Sequence, residues 1–91
     1  MPYTLIYADS YIRRARKFLR KHPEIHNQYR KTLELLELDP YHPSLRLHSL
    51  EGRLKGLSSV SINMSYRIAL ELEIQGEEII LINIGNHDQV Y

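Results

Sequence analysis

The chain has 91 residues, 43% hydrophobic and 25% charged, enough for one small domain with a thin core and too few for two. It contains no cysteine, which excludes a disulfide framework, thiolate zinc sites and a cysteine nucleophile. A formal charge of +1 hides an asymmetry: residues 1–31 carry eight Lys/Arg against Asp9 and Glu24, and residues 32–91 carry four against nine carboxylates. A basic front half of this kind attracts phosphate or an acidic partner.

Tyr3–Tyr7 is β-branched and aromatic and predicts a short strand. Asp9 or Ser10 then offers an N-cap for a helix to about Lys21, with Ile12, Ala15, Phe18 and Leu19 on its apolar stripe. Arg13, Arg14, Arg16, Lys17, Arg20 and Lys21 cover the remainder of that helix. Pro23 suits the first position of a second helix, in which Ile25, Tyr29, Leu33 and Leu36 keep helical spacing until Asp39-Pro40 stops it. Helices joined by about two residues pack as an antiparallel hairpin.

From Tyr41 to Gly56 no period holds, and the segment reads as irregular connection carrying Arg46, His48, Arg53 and Lys55. Leu57–Asn63 alternates, with Val60 and Ile62 on one side and Ser59 and Ser61 on the other. Met64-Ser65 reverses the chain into Tyr66–Ile74, where Tyr66, Ile68, Leu70, Leu72 and Ile74 point inward and Arg67, Ala69, Glu71 and Glu73 outward. After Gln75-Gly76-Glu77, the run Glu78–Ile84 is nearly all Ile and Leu, as in a strand covered on both faces. The expected fold class is α+β, in the order β-α-α-β-β-β: a helical hairpin on one face of a small, mostly antiparallel four-stranded sheet, as a single domain over 1–91. The apolar run Ile79–Ile82 is far too short to span a bilayer, and MPYTLIYADS lacks the basic start of a signal peptide.

His22 and His26 stand four apart, but Pro23 lies between them and no third ligand is near, so neither a metal nor another cofactor is expected. His48, Arg67, His87 and Tyr91 form the more informative set. In a three-stranded meander, the start of Tyr66–Ile74 and the end of Glu78–Ile84 lie on the same side of the sheet. Arg67 and His87 are therefore expected together on the face that the helices leave open. Imidazoles, a guanidinium and a phenol in one cleft suit phosphodiester transfer: one group takes the ribose 2′-OH proton, another protonates the leaving 5′-oxygen, and Arg67 holds the phosphorane charge.

The string LHSLEGRLKG…SINMSYRIALEL…EEIILINIGNHDQVY, from Leu47 onward, resembles the RelE/YafQ toxins of bacterial type II toxin–antitoxin systems. The marks are L-x-G before the first meander strand, S-Y-R-I opening the second and I-G-x-H-x-x-V-Y after the third. The resemblance implies a RelE-like fold and a cytoplasmic bacterial toxin, an endoribonuclease needing no metal that cuts mRNA, often on the ribosome. A cognate antitoxin blocks it, giving a hetero-oligomer. By the same resemblance, Arg67 contacts the scissile phosphate, His48 and His87 match active-site histidines of YafQ-type members, and Tyr91 matches a terminal aromatic that stacks on a base or helps proton transfer. It also implies RNA contacts at Ser61 and Tyr66, with Arg46, Arg53 and Lys55 adding positive charge. Ser59 and Ser61 stand where RelE carries lysines. The first helix, through Arg13, Arg16, Lys17 and Arg20, is the expected antitoxin-binding face. Two alternatives share the fold, a ParE-like toxin that inhibits DNA gyrase without cutting RNA and an inactive antitoxin-binding relic. The imidazoles and the terminal phenol favour the nuclease.

Overall fold

The computed structural model describes residues 2–90. Its elements in chain order are β1 (Thr4–Tyr7), α1 (Asp9–Lys21), α2 (His26–Leu38), β2 (His48–Ser49), β3 (Ser58–Ser61), β4 (Tyr66–Glu73), β5 (Glu78–Asn86) and α3 (His87–Val90). Short 3-10 turns at Pro23–Ile25, Pro43–Leu45 and Gly52–Leu54 join them. The fold is α+β, with five strands in the order β1-β5-β4-β3-β2 rather than the expected four. β1 runs parallel to β5 and every other pairing is antiparallel. The added strand, β2, is two residues long, too short for any alternation to announce it in sequence.

Local departures from the expected elements have simple causes. Ala8, not Asp9 or Ser10, is the N-cap of α1 and makes no side-chain cap hydrogen bond. Asp9 sits inside the first turn, where a carboxylate still favours the positive end of the helix dipole. The buried stripe is Tyr11, Ala15 and Phe18, while Ile12 is 37% exposed. Tyr11 can take the buried position because its hydroxyl meets the Tyr29 hydroxyl at 2.7 Å, so no polar group is stranded. Burial and the neighbouring Tyr29 push the Tyr11 phenol well above its ordinary value. The second helix begins as the 3-10 turn Pro23–Ile25 and becomes α-helical only at His26. Ile74 lies beyond the end of β4 and is exposed, not inward.

The main core forms between the helical hairpin and one face of the sheet, from Tyr11, Phe18, Ile25 and Leu36 against Val60, Ile68, Leu70, Ile79, Leu81 and Ile84. Leu36, Ile68, Leu70, Ile79 and Leu81 are completely buried, each contributing about 1.5–3 kcal/mol of transfer free energy. Between Ala69 and Leu70 the β4–β5 register shifts: Ala69 pairs with Asn83 and Leu70 with Leu81, leaving Ile82 as the extra residue. This bulge reverses the alternation of β5, so that Ile84 joins the helix-side core and Gly85 falls opposite Arg67.

The other face, expected to be open, is partly covered. Leu50, Ala69 and Val90 form a second small cluster, with Leu54 and Leu57 packed against it. Segment 50–57 and α3 thus close over the middle of β4 and frame one end of the sheet.

Candidate functional site

Strand alternation turns Arg67 away from the helical layer while its neighbours Tyr66 and Ile68 pack into it. The guanidinium is held from three sides. Its Nε donates to the Ser59 hydroxyl at 2.9 Å, and one Nη2 hydrogen goes to the Arg46 carbonyl at 3.1 Å. Nη2 also lies 3.2 Å from His48 Nδ1. A guanidinium can only donate, so Nδ1 is the acceptor and the ring proton of His48 sits on Nε2 in this arrangement. Among the described residues the Nη1 end has no hydrogen-bond partner, which leaves two N–H donors for an anion.

The supports are built locally. Ser59 is fully buried, opposite His48 across β2–β3, so the two-residue strand β2 sets the imidazole beside the guanidinium. Arg46 ends the Pro43–Leu45 turn in the left-handed conformation, with φ +49°, and presents its carbonyl to Arg67. A non-glycine residue held there costs about 1–3 kcal/mol, strain that is concentrated at functional sites. In register, Arg67 stands between Ser61 on β3 and Gly85 on β5, and glycine puts no side chain beside the guanidinium.

His87 opens α3 two residues after Gly85, at the same end of the sheet, with 68% of its side chain exposed and Nδ1 3.7 Å from Asp88. Tyr91 lies outside the described residues. Arg46, Arg53 and Lys55 are exposed on the segment leading to β3. Lys55 lines a groove of about 550 Å³ with Ser49, Glu51 and Ser58, beside a second of about 440 Å³ that begins at His48. Ser61 donates its hydroxyl to the Asn63 carbonyl at 2.7 Å and opens toward α2 rather than joining the hydrogen bonds of Arg67.

Tyr66 does not share the Arg67 face. It packs edge-on against Phe18 at 5.0 Å and beside His22 at 4.8 Å, with its hydroxyl 3.2 Å from His22 Nδ1. The strand's two-residue period makes this unavoidable once Arg67 faces the other way. His22 is thereby engaged, and His26 Nε2 meets the Leu19 carbonyl at 2.8 Å, so the two imidazoles serve separate contacts. Arg13, Arg16, Lys17 and Arg20 are exposed along α1, and among the described residues none has a carboxylate within 4.0 Å.

Sequence reasoning missed two supports of Arg67. The alternation of β3 had already put Ser59 on the correct face, a usable signal. The Arg46 carbonyl is a backbone group aimed by a left-handed residue and leaves no trace in residue type.

No family model matches the chain, and no curated protein matches it in sequence. Among solved structures, YafQ from E. coli superposes with a TM-score of 0.80 over 98% of each chain, at 14% identity. A chain of the E. coli DinJ–YafQ toxin–antitoxin complex gives 0.78 at 17% identity, over 100% of this chain and 99% of that one. A YoeB/ParE toxin from Agrobacterium tumefaciens gives 0.74 at 15% identity, over 92% and 98%. At such identities the likeness is one of fold: this chain has the RelE/YafQ-type toxin fold. Among the described residues no helix is long and apolar enough to cross a membrane.

Proposed function

We propose that this chain is the toxin of a bacterial type II toxin–antitoxin pair, and that it acts in the cytoplasm as a metal-independent endoribonuclease on mRNA. The observation that carries the reading is the anchored guanidinium: Arg67 fixed by Ser59 and Arg46, with His48 against it and donors left over for a phosphate. In this reading Arg67 binds the scissile phosphate and stabilises the negative charge that grows on its oxygens. His48 positions the guanidinium through Nδ1, beside the same phosphate. His87 accepts the 2′-OH proton as the 2′-oxygen attacks phosphorus. The bond to the 5′-oxygen breaks, that oxygen leaves protonated, and the other product carries a 2′,3′-cyclic phosphate. Tyr91 stacks on a base or supplies the departing proton, Arg46, Arg53 and Lys55 follow the RNA backbone, and Ser61 borders the path. The ribosome presents the message, and the α1 face with Arg13, Arg16, Lys17 and Arg20 receives an acidic antitoxin segment.

Inducing the chain without an antitoxin tests the reading. Growth should stop and primer extension should reveal new message ends, while Arg67→Ala, still folded, should do neither. Growth arrest with intact messages would refute the nuclease and favour the gyrase-binding alternative.

A further inference from the structure

A separate cleft, of about 290 Å³, lies between α1 and the outer edge of β5 beyond the end of β1. Arg14, Lys17 and Lys21 line it from one stripe of α1, at spacings of three and four, with Phe18, His22 and Asn83 completing the walls. Among the described residues no carboxylate comes within 4.0 Å of these three cations, so the structure brings them together without neutralising them. The lining is therefore strongly cationic.

The aromatic wall is rigid. The His22 ring is tilted against Phe18 at 4.5 Å and Tyr66 at 4.8 Å, and its Nδ1 is held between the Tyr66 hydroxyl and the Glu24 carboxylate, 3.6 Å away. Cations beside a fixed ring match the two halves of a nucleotide, a phosphate and a planar base. An acidic peptide would use the cations and leave the ring idle. The location fits as well: Asn83 and Ile84 line the cleft and the next residue, Gly85, pairs with Arg67. Cleft and guanidinium thus sit at one end of the sheet, on its two faces.

We propose that this cleft is a nucleotide subsite, which takes a phosphate of single-stranded RNA on Arg14, Lys17 and Lys21 and sets the base against His22, on the same strand that crosses Arg67. The proposal rests on the endoribonuclease reading and adds to it a hold on flanking RNA.

A labelled 2′-O-methyl RNA hexamer, which cannot be cut by 2′-OH attack, is the probe, with affinity read by fluorescence anisotropy across a salt series. Arg14→Glu with Lys21→Glu should weaken binding about tenfold or more and flatten the log–log salt slope by about 0.7, as expected for one lost phosphate contact on a single strand. Arg30→Glu with Lys31→Glu, the same charge change on exposed positions of α2, should cost less than about threefold. An abasic sugar-phosphate hexamer should bind the unaltered chain at least about fivefold more weakly, a difference that vanishes in His22→Ala. Thermal melts check that each variant is folded. Equal losses in the two charge-reversed pairs or equal affinity for the abasic probe would each overturn the subsite. Arg67→Ala separates the two readings: it should abolish cleavage and leave the cleft variant's tenfold effect in place. Failure of the unaltered chain to cut any message would sink the nuclease alone, whereas normal cleavage with unchanged hexamer binding in Arg14→Glu/Lys21→Glu would sink the subsite alone.

Discussion

Arg67→Lys keeps the positive charge and removes the fork. The guanidinium serves Ser59, Arg46 and His48 from Nε and Nη2 and still holds two Nη1 hydrogens in reserve. An ammonium on a flexible stem is a point charge; it can reach one or two of those acceptors and then has no second planar edge for a phosphate. Losing the charge-assisted hydrogen bond to the fully buried Ser59 hydroxyl should cost about 1–3 kcal/mol, which lowers the melting temperature of a domain of this size by roughly 4–8 °C per kcal/mol. The effect on rate should be larger. Removing one preorganised donor to a developing oxyanion commonly costs on the order of a hundred- to a thousandfold. The assay is cleavage of a defined RNA under kcat/KM conditions, with a thermal melt of the same preparation. A lysine variant that melts lower but cuts at the full rate would refute the guanidinium's role as the phosphate holder.

His87→Ala should reduce cleavage about a hundred- to ten-thousandfold, and its melting temperature should stay within a degree or two because the side chain is mostly exposed. Glu71→Gln should be stabilising near neutral pH: the hydrogen bond with Glu73, then burial and the Glu73 charge, raise the Glu71 carboxyl above its ordinary 4.5. A raised acid favours the protonated form in the native state, so that stability is present below the unfolded value and is lost as pH rises through the folded one. The gain from the glutamine should accordingly disappear in melts run below about pH 4. Tyr11→Phe should cost about 0.5–1.5 kcal/mol in denaturant titrations, by breaking the hydroxyl pair with Tyr29.

Periodicity carried most of the architecture, and its failures are local. Both helices, the meander and the buried β5 were legible because apolar residues recur at three to four or at two. The phase of α1 was misjudged because Ile12 outranks Tyr11 in hydrophobicity, and only the distant Tyr29 makes the tyrosine buriable. The bulge at Ile82 was invisible in a run of Ile and Leu with no alternation to interrupt. At the site, alternation alone put Arg67 and Ser59 on one face. The same alternation put Tyr66 on the other, and only the family resemblance had grouped it with Arg67. The contact of His48 with Arg67 spans 19 residues and depends on a two-residue strand and a left-handed Arg46, neither of which residue types announce.

The chemistry of the cut ends is the most direct test of the central claim. Purified chain, incubated with programmed ribosomes and one defined message, should leave a 2′,3′-cyclic phosphate on one fragment and a 5′-hydroxyl on the other. Cleavage that leaves 5′-phosphate and 3′-hydroxyl ends would contradict a mechanism built on Arg67 and the two imidazoles.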